Sequence, residues 1–167
     1  MTWAISLLGK SHHRKDFRCE EPALNHYLQR QVSQDIRKKL ATCFVATDPD
    51  NRVLGYYTLS SESLGRDAIP EQYIKRLPQN YNAPVILLGR LARDMSQKGT
   101  GLGEYLLIDA LLRAYTISEK SIGAMAVVVL PINVYAVNFY RKYGFETLPD
   151  SKKMVLSMRT IKQLVTV

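Results

Sequence analysis

Cysteine is scarce in this sequence, long apolar runs are missing and acidic residues are outnumbered; each shortage excludes something. Cys19 and Cys43 are the two cysteines among 167 residues. They are too few for a disulfide framework and lack zinc-ligand spacing, so a reduced, cytoplasmic setting with no bound metal is expected. No stretch approaches the roughly 18 consecutive apolar residues of a membrane span, and no membrane partner is expected. The apolar start, residues 1–8, has no basic segment ahead of it and is cut short by Lys10 to Arg14, so it reads as a first strand rather than a signal peptide. Internal repeats, low-complexity tracts and interdomain linkers are also lacking. A single domain over residues 1–167 is expected, large enough to bury a core without disulfides or metals. Aspartate and glutamate number 15 against 23 lysines and arginines, a formal charge of +8. Such a field attracts polyphosphates, nucleic acid or an acidic protein, or simply keeps a small protein soluble.

What is present is an ordinary folded composition, 46% hydrophobic and 23% charged. After the basic patch of Lys10, His12, His13, Arg14 and Lys15, Pro22 opens a helix in which Leu24, Tyr27, Leu28, Val32, Ile36 and Leu40 recur at helical spacing. Arg30, Arg37, Lys38 and Lys39 give it a basic flank, suited to solvent or to nucleic acid. Residues 42–47 and 53–60 read as a hairpin about a turn at 48–52. Between 61 and 84 the pattern weakens, with three prolines and a short helix at 71–76, as in a substrate-side insertion or lid. Residues 123–130 form the continuous apolar run of a strand buried on both faces, and 133–143 a helix stopped at Gly144. Residues 154–158 and a short tail at 160–165 complete the chain. Strand and helix alternating after a hairpin predict an α/β (α+β) domain with a mixed sheet.

The chain is organised around residues 85–112. An apolar strand at 85–89 leads through Arg90-Leu91-Ala92-Arg93-Asp94 into Lys98-Gly99-Thr100-Gly101-Leu102-Gly103. A helix follows, with Leu102, Leu106, Ala110 and Ala114 on one line and Leu107 and Leu111 beside it. Glycines let consecutive N–H groups turn inward, and the helix N-terminus adds partial positive charge, so the loop suits a phosphate or pyrophosphate. A tight turn is the simpler alternative.

A second segment makes the first specific. Asn133-x-x-Ala136-x-x-x-Tyr140-x-x-x-Gly144-Phe145, about 30 residues on, resembles the closing motif of the GNAT acyl-CoA N-acyltransferases, and the loop is similar to their (Gln/Arg)-x-x-Gly-x-(Gly/Ala) pattern. Lys98 departs from the usual Gln or Arg, and Thr100 stands where a basic residue is common. Four further blocks narrow the match: Phe17-x-Cys19-x-x-x-x-Leu24-x-x-Tyr27-Leu28, Gly55-Tyr56-Tyr57-Thr58-Leu59, Leu87-Leu88-Gly89-Arg90-Leu91-Ala92, and residues 138–145, Asn138-Phe139-Tyr140-Arg141-Lys142-Tyr143-Gly144-Phe145. Together they resemble the GNAT toxins of bacterial toxin–antitoxin systems over nearly the whole chain.

That resemblance implies a GNAT domain with a mixed, mostly antiparallel sheet flanked by helices. It implies acetylation of the α-amino group of aminoacyl-tRNA by acetyl-CoA, blocking translation, and neutralisation by a ribbon-helix-helix antitoxin through which the complex meets operator DNA. It is also compatible with a homodimer. A GNAT acting on protein N-termini, lysines or small amines is the nearer alternative, and a non-catalytic nucleic-acid-binding domain the more distant one. The amides of Gly99, Gly101 and Gly103, with Thr100 and Leu102 between them, should hold the CoA pyrophosphate, and Lys98 should add charge. Leu91, Ala92 and Arg93 should pair with the pantetheine arm as another strand would. Asn133 and Asn138 should touch the cofactor, although Asn133 also suits an N-cap. Tyr140 should protonate or hydrogen-bond the departing thiolate, or else be a core aromatic. Arg37, Lys38, Arg141 and Lys142 are candidate tRNA contacts; Arg90 and Arg93 could position RNA or CoA, or offset Asp94. His12 and His13 are candidate bases or solvated side chains. No covalent cysteine intermediate is needed.

Overall fold

The computed structural model describes residues 3–149 and 151–165; Met1 and Thr2, the start of the expected first strand, lie outside it, as do Asp150, Thr166 and Val167. In chain order the elements are β1 Ala4–Leu7, α1 Pro22–His26, a π-helical stretch Tyr27–Gln31, α2 Val32–Arg37, β2 Thr42–Thr47, β3 Val53–Leu64, α3 Glu71–Ile74, β4 Ala83–Arg93, α4 Leu102–Lys120, β5 Ala126–Val129, α5 Val134–Lys142, β6 Glu146–Thr147, β7 Met154–Ser157 and α6 Met158–Val165. The strands follow the order β1-β2-β3-β4-β5-β7-β6. β4 and β5 run parallel, whereas the β1–β2, β2–β3, β5–β7 and β6–β7 pairs are antiparallel.

The chain falls into two compact units, Met1–Ser60 with Gly89–Ala110 and Ser61–Leu88 with Leu111–Val167. In the first, the expected stripe of the N-terminal helix is largely buried: Tyr27, Leu28 and Val32 join Phe17, Cys19, Cys43, Val45, Val53, Tyr56 and Ala92 in one core, with Leu24 and Ile36 against it. Leu40 departs from that stripe and is exposed. The reason is local: Lys39 adopts φ 63°, and Leu40 N–H donates back to Asp35 O at 2.8 Å, so the helix is closed before Leu40 can continue the face. The hairpin forms as read, but β3 runs on to Leu64 rather than ending at Ser60.

α4 begins one residue before Gly103 and buries Leu102, Leu106, Leu107 and Ala110. It approaches β3 at Gly55, where a Cβ would lie 2.7 Å from Leu106 Cδ1, 3.2 Å from Leu102 Cδ2 and 3.1 Å from the Ala92 carbonyl. Gly55 therefore fixes how closely the helix, and the loop at its head, can sit on the strand.

In the second unit, Val85–Leu88 of β4 pair with Ala126–Val129 of β5, which pairs in turn with β7. Leu64, Ile69, Tyr73, Val85, Val128, Leu148 and Val155 form its core. The strand expected over 123–130 is shorter, because Gly123 and Leu130 are exposed. The expected tail is a helix, α6, capped by Ser157, whose Oγ accepts from Thr160 N–H at 3.2 Å. Among the described residues no helix is long and apolar enough to cross a membrane.

Candidate active site

The strand expected over 85–89 is longer: β4 runs from Ala83 to Arg93, so residues 90–93 belong to it. A partly exposed strand need not be uniformly apolar, and only Ala92 of this segment is buried. The β5 ladder ends at Leu88, so Leu91, Ala92 and Arg93 lie beyond it.

Asp94 then anchors the turn. Its N–H donates to Leu54 O at 2.7 Å, while its carboxylate accepts from the N–H groups of Arg18 at 2.8 Å and Ser96 at 3.0 Å. Burial pushes this carboxyl up, but those donors outweigh it and hold the pKa below the ordinary range. Arg93 does not offset Asp94; its guanidinium forks onto Glu20, with both contacts at 3.1 Å, and that hydrogen-bonded pair lowers the Glu20 pKa. The anchoring role of Asp94 was legible in the Asp94-Met95-Ser96 pattern, a common way for a side chain to cap a turn.

The loop that follows has the backbone it needs. Gly99 and Gly101 adopt φ of +80° and +87°, a region other residues avoid. A Cβ at Gly99, Gly101 or Gly103 would meet nothing within 4 Å, so space before the loop is open and an anion can approach the backbone. Thr100 turns inward instead: its N–H and hydroxyl both donate to Gln97 O, at 3.2 and 2.7 Å. Its hydroxyl also accepts from Leu102 N–H at 3.4 Å. Thr100 thus shapes the loop, with its N–H already paired inside it. Lys98 is exposed at the loop.

In the second unit, Asn133 caps α5, its Oδ1 accepting from Ala136 N–H at 2.9 Å. Tyr140 is buried on the inner side of that helix, with ring centroids 5.4 Å from Phe139 and 5.3 Å from Phe145. Burial alone pushes its hydroxyl pKa well up, so it stays protonated. Asn138 is exposed, about 200° around an ideal helix from Tyr140. Arg141 and Lys142 are exposed on α5, and Arg37 and Lys38 around the end of α2.

Other candidates take structural places. Arg90 lies 3.5 Å from the centre of the Tyr27 ring, and the Tyr27 hydroxyl donates to Asp35 at 2.8 Å. His12 Nδ1 accepts from Gly9 N–H at 2.9 Å, and His13 bridges Asn51 and Val53 through its backbone. Cys19 and Cys43 are free and buried; burial raises both thiols, Cys43 to about 12, so neither is an activated nucleophile.

No protein-family model matches the chain. The tRNA-acetylating toxin of Mycobacterium tuberculosis is 35% identical over 150 residues, covering 89% of this chain and 88% of that protein. The chain belongs to this family of GNAT toxins. A probable toxin TacT of Sinorhizobium fredii is 28% identical over 164 residues, or 92% of this chain and 90% of its own. Among solved structures, a tyrosine-to-phenylalanine variant of KacT superposes with a TM-score of 0.90 at 29% identity, covering 98% of this chain and 99% of its own. AtaT complexed with acetyl-methionyl-tRNAfMet gives 0.89 at 29% identity, covering 99% and 100%. AtaT has also been solved with acetyl-CoA and with the C-terminus of its antitoxin AtaR, and KacT with antitoxin and DNA.

Proposed function

We propose that this protein is a toxin that transfers the acetyl group of acetyl-CoA to the α-amino group of an aminoacyl-tRNA, blocking translation until a cognate antitoxin binds it. The structural observation that carries the reading is the open, left-handed glycine loop at the head of α4, built to present amides to an anion. The relative with 35% identity, named a tRNA-acetylating toxin, supports the substrate class. The amides of Gly99, Gly101 and Gly103 hold the pyrophosphate with help from Lys98, and the edge of Leu91, Ala92 and Arg93 takes the pantetheine arm.

Acetyl-CoA supplies an acyl group on a good leaving group, a thiol whose pKa lies near the ~8.5 of cysteine. An α-amino group, with pKa ~7.7–8.0, is already partly neutral at pH 7 and can attack without a strong base. Tyr140, kept protonated by burial, donates its hydroxyl hydrogen bond to the sulfur as the C–S bond breaks; the proton lost by the attacking nitrogen balances the thiol formed. The reaction places the protein in the cytoplasm with its charged tRNA. We further assign a ribbon-helix-helix antitoxin as the partner through which operator DNA is met.

Radiolabelled acetyl-CoA offered together to charged tRNA, deacylated tRNA and lysine peptides tests the reading. Label on charged tRNA alone is expected; label on peptides instead would overturn it.

A further inference from the structure

The second unit leaves a short apolar surface uncovered. Leu130 is 55% exposed, Ile132 49%, Val134 63% and Tyr135 81%, all within six residues that link β5 to the first turn of α5. A tyrosine this exposed at the head of a helix contributes little to the fold, and successive exposed apolar side chains mark a surface with a partner. The same helix supplies the chemistry around it. On an ideal helix Asn138 and Lys142 lie about 60° and 20° from Tyr135, whereas Tyr140 lies about 140° away. Exposure follows that division: Tyr135, Asn138 and Lys142 are exposed, and Tyr140 is buried. The helix thus carries an aromatic ring, a carboxamide and a cation along one outer stripe, with the proposed acid on its other side.

An aromatic face stacks on any base, a carboxamide bonds a base edge or ribose, and a lysine neutralises a phosphate. Single-stranded nucleic acid offers a group to match each of the three. An acidic protein segment would use the cation but leave the ring without a matching base. The chain's net charge of +8 favours the polyanion. We propose that Tyr135, Asn138 and Lys142 form the track for the single-stranded 3′ end of the charged tRNA, with Tyr135 stacking on an unpaired base. The proposal rests on the tRNA-acetylating function argued above.

Its test compares Tyr135→Phe, Tyr135→Leu and Tyr135→Ala in the full chain, reading KM for charged tRNA, KM for acetyl-CoA and affinity for a fluorescent single-stranded RNA ending in CCA. Stacking predicts that Leu and Ala both raise the tRNA KM and weaken the RNA about 5- to 150-fold, that Phe matches the parent, and that the acetyl-CoA KM is unchanged. If Leu matches the parent, or no variant changes either RNA measurement, the track is overturned. A lower sedimenting mass for Tyr135→Ala would assign the patch to a second copy of this chain and overturn it too. Failure of the parent to acetylate charged tRNA would instead strike the proposed function, because the RNA-binding arm does not depend on turnover.

Discussion

Tyr140 and Asp94 are both buried titrating residues, and their environments drive them in opposite directions. Around Tyr140 burial alone acts, raising the hydroxyl pKa and preserving a proton to donate. Tyr140→Phe keeps the ring against Phe139 and Phe145, so folding and acetyl-CoA affinity should persist while turnover falls by ~10²-fold or more. Circular dichroism, a binding isotherm and kcat read the three separately, and unchanged turnover would remove Tyr140 from the mechanism. Around Asp94 the N–H donors of Arg18 and Ser96 overcome burial and lower the pKa. A carboxyl depressed in the fold stabilises it above the unfolded value of ~3.9, and that stability is lost as pH falls through the folded pKa. Asp94→Asn should therefore cost about 1–2 kcal/mol at neutral pH and flatten the loss of stability below pH ~4, followed by chemical denaturation across pH. An unchanged acid profile would show that the anchor lies elsewhere.

At the scale of elements, the loop depends on two kinds of glycine. Gly101 has open space before it but φ of +87°, so Gly101→Ala should fold, at a cost of about 1–2 kcal/mol, while re-aiming the amides. Acetyl-CoA affinity should fall more than thermal stability; the reverse ranking would sever the loop from the cofactor. Gly55 has an ordinary backbone but a crowded surround that includes the rigid Ala92 carbonyl at 3.1 Å. Gly55→Ala should displace α4 and cost about 1–3 kcal/mol, measured by denaturant midpoint. The link between β3 and the start of β7 is an ion pair: Lys153 Nζ lies 2.6 Å from Glu62 Oε1, while Glu62 Oε2 is buried without a hydrogen-bond partner. Lys153→Met should remove that ion pair from a half-buried carboxylate, and a destabilisation of about 1–3 kcal/mol is expected at pH 7.

For the whole molecule, the charge of +8 makes salt the diagnostic variable. The KM for charged tRNA should climb steeply between about 50 and 200 mM salt, as phosphate contacts displace counterions; a flat response would exclude the basic surface from recognition. Elements whose signal is local were legible in residue order: the α4 stripe from Leu102 to Ala114, the hairpin, the glycine loop and the Asn133 cap all follow from side-chain period or backbone allowance. Its motif spacing also carried the family, because Asn133, Tyr140 and Gly144 mark the cap, the inner face and the stop of one helix. Tertiary structure decided what depends on residues remote in sequence. Arg93 meets Glu20, 73 positions away, rather than the adjacent Asp94, and Arg90 finds the Tyr27 ring. Local pattern cannot rank such partners, because each is selected by where the folded backbone brings opposite charge or an aromatic face within reach. The same holds for Tyr135: its spacing looks like any aromatic on a helix, and only the packing of α5 left that ring outside while taking Tyr140 in.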